Sequence, residues 1–340
     1  MTDVGSPGPA LKPIDSFEVD VVTDNVSDTY VSKTLFAVSE FAKVVITGAK
    51  VISAEALLCA NLGLGLRLIS RSGEIRHTLL FDTGPERAIF LRNGANLGIH
   101  LGDVECIAGS HGHWDHMAAL PDAIDAIVKE GGEVTVHVNP GMFNERVIRL
   151  ANGTIVPVAN VPLPADMEAS GAKVVNRPEA RLLLDGHFYY SGEIPRLTPF
   201  EKGRTDHLCR TSGNGLLATR SLAHGPAHAG GACPRPGIDR FQRVLACPDR
   251  QRMYRGAASL SGYSNLLRDG RVPSRRRDGA DHSPDGRRTA AVRNQTYHRG
   301  HCTGWRALRA LADVFGDAVS QSAVGTRYTF VAGHRPGEET

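Results

Sequence analysis

Three imidazoles and one carboxylate lie within six residues of this chain, between positions 111 and 116. The segment 110–116 reads Ser-His-Gly-His-Trp-Asp-His and follows an apolar run at 104–108. Histidine supplies a borderline nitrogen ligand and aspartate a hard oxygen ligand, and both suit Zn²⁺ and similar divalent ions. The pattern predicts a compact site for one or two divalent metals. A metal that keeps an open coordination position generates a hydroxide nucleophile at neutral pH.

A polar surface loop is the simpler interpretation of the same segment, but its neighbours favour the metal. Residues 103–108 predict a buried strand, and apolar residues at helical spacing over 118–128 predict a helix. The motif therefore lies at a strand-to-helix corner, where binding residues are often placed.

Several segments together resemble one family. Residues 110–116 resemble the first metal motif of the metallo-β-lactamase-fold hydrolases, and Leu-Leu-Phe-Asp-Thr-Gly at 79–84 resembles the strand and turn that precede it. Ser-Gly-Glu-Ile-Pro-Arg at 191–196 and Gly-His-Cys-Thr-Gly-Trp at 300–305 are similar to one branch of that superfamily. This branch includes the dihydropterin–ribofuranosylaminobenzene phosphate synthase-like proteins.

The resemblance covers residues 16–203 and 300–330 and implies an α/β fold, the αββα sandwich of this superfamily. The periodicity of the chain agrees, because predicted strands alternate with predicted helices. Strands are predicted at 16–22, 64–69, 77–81, 103–108, 133–138, 174–175, 181–184, 187–191 and 328–331, and helices at 85–97, 118–128 and 305–315.

The resemblance also implies roles for the motif residues. His111 and His113 would bind a first metal, Asp115 and His116 a second, and His301 would close the second site. Asp115 would be the catalytic residue, since it could both ligate a metal and orient the attacking water. The implied cofactor is a pair of divalent ions, Zn²⁺ foremost, with Mn and Fe as alternatives. A turn histidine satisfied by backbone is the other interpretation of His301.

Two carboxylates have two interpretations each. Asp82 is either an acceptor behind a ligating histidine or a turn-forming residue before Thr-Gly. Glu193 either reaches the mouth of the site or is a solvated surface residue. His137 and His187 are predicted as strand residues, because single histidines lack ligand partners.

The chain departs from the family pattern where a further histidine ligand is expected. Arg235 occupies that place in Ala-Cys-Pro-Arg-Pro-Gly-Ile at 232–238, and a cation there would repel a metal. Leu62 also stands where such proteins often carry histidine.

Residues 204–299 lack the periodicity of the rest of the chain. They contain 18 Arg and 7 Asp but no Lys and no Glu, a net charge of +11; because the whole chain carries +3, the remainder carries −8. Out-of-frame translation is one explanation, since a GC-rich gene read off-frame favours Arg, Gly, Ala and Pro. A disordered basic insertion and a nucleic-acid arm are the others. We therefore expect an irregular middle segment.

Composition sets the remaining expectations. Residues 1–15 are predicted as a disordered lead-in, 16–332 as one domain with 204–299 aberrant, and 333–340 as a tail. The sequence contains no run of 18 apolar residues, so no membrane helix is predicted. The start lacks a basic and apolar leader pattern, which makes a cytoplasmic location the default.

The favoured function is a metal-dependent hydrolase that uses a metal-activated hydroxide on a small phosphorylated or pterin-like molecule. A dihydropterin-type synthase or transferase is the first alternative, and an inactive or damaged homologue is the second. Nucleic acid is a disfavoured partner, since only the Arg-rich segment supports it. The sequence does not indicate an oligomeric state.

Overall fold

An eight-stranded mixed β-sheet is the centre of the fold in the computed structural model of this chain. The structure describes residues 11–28, 37–38, 45, 51–192, 206–209, 244–245, 297–299, 304–315 and 319–332. The strands are β1 (Ser16–Thr23), β2 (Ala37–Val38), β3 (Gly65–Ser72), β4 (Ile75–Thr83), β5 (Cys106–Ala108), β6 (Thr135–Val138), β7 (Arg146–Arg149), β8 (Ile155–Pro157), β9 (Lys173–Asn176), β10 (Arg181–Leu183), β11 (Phe188–Tyr190), β12 (His207–Cys209), β13 (Val244–Leu245), β14 (Tyr297–Arg299), β15 (Val319–Gln321) and β16 (Arg327–Val331). The α-helices are α1 (Arg87–Asn96), α2 (Trp114–Met117), α3 (Leu120–Lys129), α4 (Pro164–Ala169) and α5 (Trp305–Phe315).

The large sheet has the strand order β2-β16-β1-β3-β4-β5-β6-β9. Its first part is antiparallel, with β1 paired to β16 and β3, and β3 paired to β4. From β4 onward the pairs β4–β5, β5–β6 and β6–β9 are parallel. Parallel neighbours need crossover connections. Helices α1, α3 and α4 lie in these three connections, so the carboxyl ends of β4, β5 and β6 share one edge.

Two apolar cores cover the two faces of this sheet. Successive strand residues point to opposite faces, and Leu80 packs in the core with the helices whereas Leu79 packs in the other core. The first core includes Phe90 of α1 and Ile124 of α3. The second core joins the sheet to β10 and β11, with Phe188 and other residues of those strands. One face therefore carries helices and the other a second sheet, as in a sandwich.

Helix α3 shows why these residues fold in this way. Its buried residues Leu120, Ala123, Ile124 and Ile127 recur at helical spacing and form one apolar stripe. Pro121 is tolerated in the first turn, and Gly131 follows the helix at a φ of +85°. Burying each isoleucine contributes about 1.5–3 kcal/mol.

Smaller sheets lie beside the main one. Strands β10-β11-β13 form one, β12-β7-β8 form another, and β14 pairs with β15. In the second of these, His207 pairs with Ile148 and Leu208 with Val147. This pairing places β12 next to β7, the strand that follows β6 in the chain.

The α/β fold class predicted from the sequence is confirmed, with local differences. The strand predicted at 103–108 is limited to Cys106–Ala108, because Leu101–Asp103 forms a 3₁₀ turn. The helix predicted at 118–128 is α3, and the short helix α2 precedes it. Strands β7 and β8 and helix α4 were not predicted from the sequence.

The end of the predicted lead-in is held against the sheet. Ile14 is buried, the Lys12 N–H donates to the Gly186 carbonyl, and the Ala332 N–H donates to the Asp15 carbonyl. In the predicted aberrant segment 204–299 the described residues form β12, β13 and β14, with Asp206 preceding β12; its other residues lie outside the described ranges. In the described part of the chain, no helix is long and apolar enough to cross a membrane.

Candidate metal centre

The motif at 110–116 follows the carboxyl end of β5, next to the end of β4. Asp82 is the last residue but one of β4, and Ser110 lies in the loop after β5. Both residues are buried, as are His111 and His116. The parallel pairing of β4 and β5 is what places these side chains together, as expected for the carboxyl edge of such a sheet.

Asp82 is the anchor of the loop. Its Oδ1 accepts a hydrogen bond from the Ser110 N–H at 2.7 Å, and its Oδ2 accepts from Ser110 Oγ at 2.6 Å and from His116 Nδ1 at 2.7 Å. Asp82 is only 1% exposed and has a φ of +60°. A left-handed backbone costs a non-glycine residue roughly 1–2 kcal/mol. These three hydrogen bonds hold it there.

The hydrogen bonds determine which nitrogen of each imidazole carries a proton. A carboxylate only accepts, so the single Ser110 hydroxyl proton goes to Asp82, and Ser110 Oγ must accept from His111 Nδ1 at 2.9 Å. His116 donates its Nδ1 proton to Asp82 directly. In the neutral imidazoles this assigns the Nε2 lone pair of both His111 and His116 to ligand binding.

His111 and His113 bring two ring nitrogens together. His111 Nε2 and His113 Nδ1 are hydrogen-bonded at 3.2 Å, and the two ring centres are 4.7 Å apart. The ring centre of His116 lies 4.0 Å from that of His111. The structure therefore brings the three predicted histidine ligands of the motif into one cluster.

Asp115 lies at the outer side of this cluster. Its Oδ2 is 3.8 Å from His116 Nε2, and its side chain is partly exposed. Its backbone carbonyl accepts from the Leu64 N–H, and a Cβ on Gly63 would lie 2.2 Å from the same oxygen. Neighbouring Leu62, in the place of a family histidine, is half exposed.

The turn after Asp82 fixes the backbone of His116. The Gly84 N–H donates to the His116 carbonyl at 3.1 Å, and the Ala119 N–H donates to the Gly84 carbonyl at 3.1 Å. Gly84 has a φ of +83°, and a Cβ there would lie 2.8 Å from Thr23. The Asp-Thr-Gly sequence at 82–84 thus forms the turn and also holds both the ring and the backbone of His116.

The residues next to the motif are also held in place. The Tyr190 hydroxyl donates to the Gly109 carbonyl at 2.8 Å, and burial raises the pKa of Tyr190 well above its usual range. His137 Nδ1 accepts from Arg181 Nε at 3.0 Å. Burial, together with the Arg181 charge, lowers the pKa of His137 to about 4, so the ring is neutral at pH 7.

His187 lies in a different place. Its Nδ1 is 3.0 Å from Ser70 Oγ, and its ring packs against that of His77 with centres 4.6 Å apart. Burial lowers the pKa of His187. His137 and His187 therefore have partners that explain them without a metal.

His207 is a neighbour of the cluster that sequence reasoning missed. Its ring centre lies 5.6 Å from that of His113, and its Nε2 is buried. His207 lies in the segment without periodicity, and the pairing of β12 with β7 brings it here. The remaining predicted site residues, His301 and Glu193, lie outside the described ranges, as does Arg235.

The donor set fits part of a metal-binding sphere. Two ligands at about 2.0 Å from a tetrahedral Zn²⁺ lie about 3.3 Å from each other. The hydrogen-bonded distance of 3.2 Å between His111 Nε2 and His113 Nδ1 is close to that separation, so an ion could take the place of the shared proton. Among the residues the structure describes, no group of three or more His, Cys, Asp or Glu side chains is already arranged to hold a metal ion.

Comparisons with known proteins give a fold and nothing narrower. No family model matches the sequence, and no curated protein matches it. The solved structure of a metal-dependent hydrolase of the beta-lactamase superfamily superposes with a TM-score of 0.51 at 15% identity, over 93% of this chain and 99% of that chain. This chain has a metallo-β-lactamase fold.

A second solved structure is the metallo-beta-lactamase fold protein YhfI from Bacillus subtilis. It matches at 15% identity and a TM-score of 0.27, over 58% of this chain and 57% of that chain, which is too weak a likeness to add to the first. At these identities a shared fold does not carry over an activity. The branch of synthase-like proteins inferred from the sequence motifs therefore stays a prediction.

Proposed function

We propose that this chain is a metal-dependent hydrolase whose metal ligands include His111, His113, Asp115 and His116. One observation carries the proposal. Asp82, directly and through Ser110, orients two imidazoles so that their Nε2 lone pairs are available, and His111 Nε2 lies 3.2 Å from His113 Nδ1. A polar surface loop would not be expected to bury this hydrogen-bond network around a carboxylate whose backbone has a strained, positive φ.

The residues of the site have distinct tasks. His111 and His113 would hold one ion, and Asp115 with His116 would hold a second, which His301 would complete. Divalent ions, of which Zn²⁺ is the favoured one, would act there as Lewis acids, which lower the pKa of bound water and polarise a substrate oxygen. Asp82 keeps His116 in the ligating tautomer, as carboxylates behind ligating histidines do.

Asp115 would act on the attacking water. Its partly exposed carboxylate lies at the outer side of the cluster, where a substrate can approach. One carboxylate oxygen would accept a proton from the water, so that the oxygen lone pair of the water is directed toward the substrate. We propose a small phosphorylated or pterin-like molecule as the substrate, on the resemblance of 191–196 and 300–305 to the synthase-like branch.

An assay of the purified chain with added Zn²⁺ or Mn²⁺ tests this proposal. We expect hydrolysis of a phosphodiester or of a pterin pyrophosphate without any acceptor molecule. Replacement of Asp115 by Asn should lower kcat by about 10²–10⁴-fold, the usual contribution of a general base. His100→Gln is the control, because His100 is exposed and plays no part in the site.

The other outcomes identify the alternatives. Turnover of the pterin pyrophosphate only when an aromatic amine is supplied would make the chain a transferase. A chain that binds metal but turns over none of these substrates would be an inactive homologue. Either result would overturn the proposed hydrolase.

A further inference from the structure

We propose that His207 is a metal ligand in this chain and supplies the third imidazole beside His111 and His113. The inference rests on the proposed function, since it concerns the same metal. A catalytic zinc typically has three protein ligands and one open position. His111 Nε2 and His113 Nδ1 provide two of them.

The distance between rings fits a shared ion. Two imidazoles bound to one tetrahedral Zn²⁺ at about 2.0 Å have ring centres about 5 Å apart. The ring centres of His113 and His207 are 5.6 Å apart, with the planes inclined by 52°. No three side chains in the described ranges are already arranged to hold an ion, so binding through His207 requires its ring to move toward His111 and His113.

The backbone of His207 is positioned by strand pairing. His207 pairs with Ile148 of β7, and the Arg149 N–H donates to the Asp206 carbonyl at 2.7 Å. The next residue, Leu208, is buried and anchors the strand. A ligand on a paired strand is held more precisely than one on a loop.

Strand β7 is joined in turn to the metal loop. Arg146, at the start of β7, donates to the Gly141, Met142 and Asn144 carbonyls. A Cβ on Gly112 would lie 2.0 Å from the Met142 carbonyl oxygen, so the two segments are in close contact. Together, β12, β7 and the 110–116 loop form one packed unit, with His207 and His113 on the facing sides.

The sequence lacks one histidine ligand that the family pattern contains. The family pattern expects a histidine where the sequence has Arg235, and a guanidinium cannot ligate a cation. Among the histidines that the structure describes, His137 accepts a hydrogen bond from Arg181 and His187 packs on His77. We assign the task to His207, whose ring centre lies 5.6 Å from that of His113.

Cobalt titration of the full-length chain tests the assignment. We expect His207→Ala to weaken the tighter Co²⁺ or Zn²⁺ site by more than about 10-fold, the lower end of the effect of losing an outer partner. His207→Cys should retain binding and add a thiolate-to-cobalt charge-transfer band that wild type and His207→Ala lack. His100→Gln should bind as wild type does.

The outcomes separate this inference from the proposed function. Wild-type affinity in His207→Ala, with no new band in His207→Cys, would overturn the assignment of His207 and leave the metal site intact. If wild type itself binds neither Co²⁺ nor Zn²⁺, the proposed function and this inference both fail. Should His207→Ala not fold, the presence or absence of the charge-transfer band in His207→Cys decides alone.

Discussion

Asp82 organises the candidate site with a single side chain. It accepts from His116 directly and, through the Ser110 hydroxyl, sets the tautomer of His111. It does so from a left-handed backbone that most residues avoid. Both sequence interpretations of this residue, turn former and acceptor behind a histidine, therefore describe features of its structure.

The first prediction concerns Asp82. Asp82→Asn should weaken zinc binding by about 10–100-fold, because a neutral amide accepts less strongly and presents an N–H to His116 or Ser110. Asparagine tolerates positive φ, so the fold should survive. A competition titration with a chelator measures the change.

Asp185 offers the matched control. It also has a positive φ, of 55°, but its side chain is 74% exposed and lies near His77. Asp185→Asn should bind zinc as wild type does. Equal affinities in both variants would contradict the role given to Asp82.

The sequence was sufficient to nominate the histidines of the motif, but it did not reveal the contacts that these residues make. The spacing in 110–116 was enough to nominate the histidines, because metal sites need several donors close together. The roles of Ser110 and Tyr190 depend on hydrogen bonds across the sheet, which no local pattern reveals. His207 was missed for the same reason.

At the scale of elements, the metal loop depends on its contact with the turn before β7. Gly112 is required there by space, since a Cβ would lie 2.0 Å from the Met142 carbonyl oxygen. A backbone oxygen cannot rotate away as a side chain can. The metal loop and the 3₁₀ turn at Pro140–Phe143 are therefore in close backbone contact that a side chain at 112 would disrupt.

The second prediction follows from this contact. Gly112→Ala should destabilise the fold by about 1–3 kcal/mol, the usual cost of overpacking, and should weaken metal binding. Gly94→Ala is the control, because Gly94 lies within α1 with nothing within 4 Å of a Cβ. That change should be neutral or slightly stabilising. Urea denaturation compares the two, and equal stabilities would count against the contact.

Long elements were predicted well, whereas short ones were predicted in some places and missed in others. The predicted helix at 305–315 has the bounds of α5, and the strands around the β3–β4 turn agree within a few residues. In contrast, β7, β8 and α4 have three to six residues each. Strands β10 and β11 also have three residues each and were predicted, so length alone does not decide the outcome. Strands β7 and β8 depend on tertiary packing, which a periodicity argument does not detect.

At the scale of the whole molecule, Asp20 joins the two ends of the described chain. This carboxylate on β1 accepts from Arg67 of β3 and from Arg327 of β16. It is 1% exposed, and its hydrogen bond raises the pKa of Arg327. This buried ionic group therefore links the three neighbouring strands β16, β1 and β3 of the sheet.

The third prediction concerns this group. Asp20→Ala should lower the free energy of unfolding by about 3–5 kcal/mol, because it leaves the Arg67 charge buried without its carboxylate. Glu18→Gln is the control on the same strand, where longer contacts of 3.8 Å and 3.5 Å to Arg71 and Arg327 predict a loss below about 1 kcal/mol. Thermal or urea unfolding measures both. A small effect of Asp20→Ala would show that the ends are held by other contacts.

The overall architecture was predictable because motif resemblance and strand–helix alternation agreed. The structure of segment 204–299 was not predictable, since its sequence shows neither the strand period nor the helix period. Its described residues are three short strands and Asp206. Out-of-frame translation, a basic insertion and a nucleic-acid arm all remain explanations of its charge. Sequencing the gene across this segment distinguishes the first from the others.

The metal content of the purified chain is the most direct test of the central claim. Elemental analysis and zinc calorimetry of wild type should give about two ions per chain, the number expected for a two-metal site. His111→Ala should lower that number, and His100→Gln should not. A wild-type chain that stays free of metal after Zn²⁺ and Mn²⁺ are supplied would contradict the account.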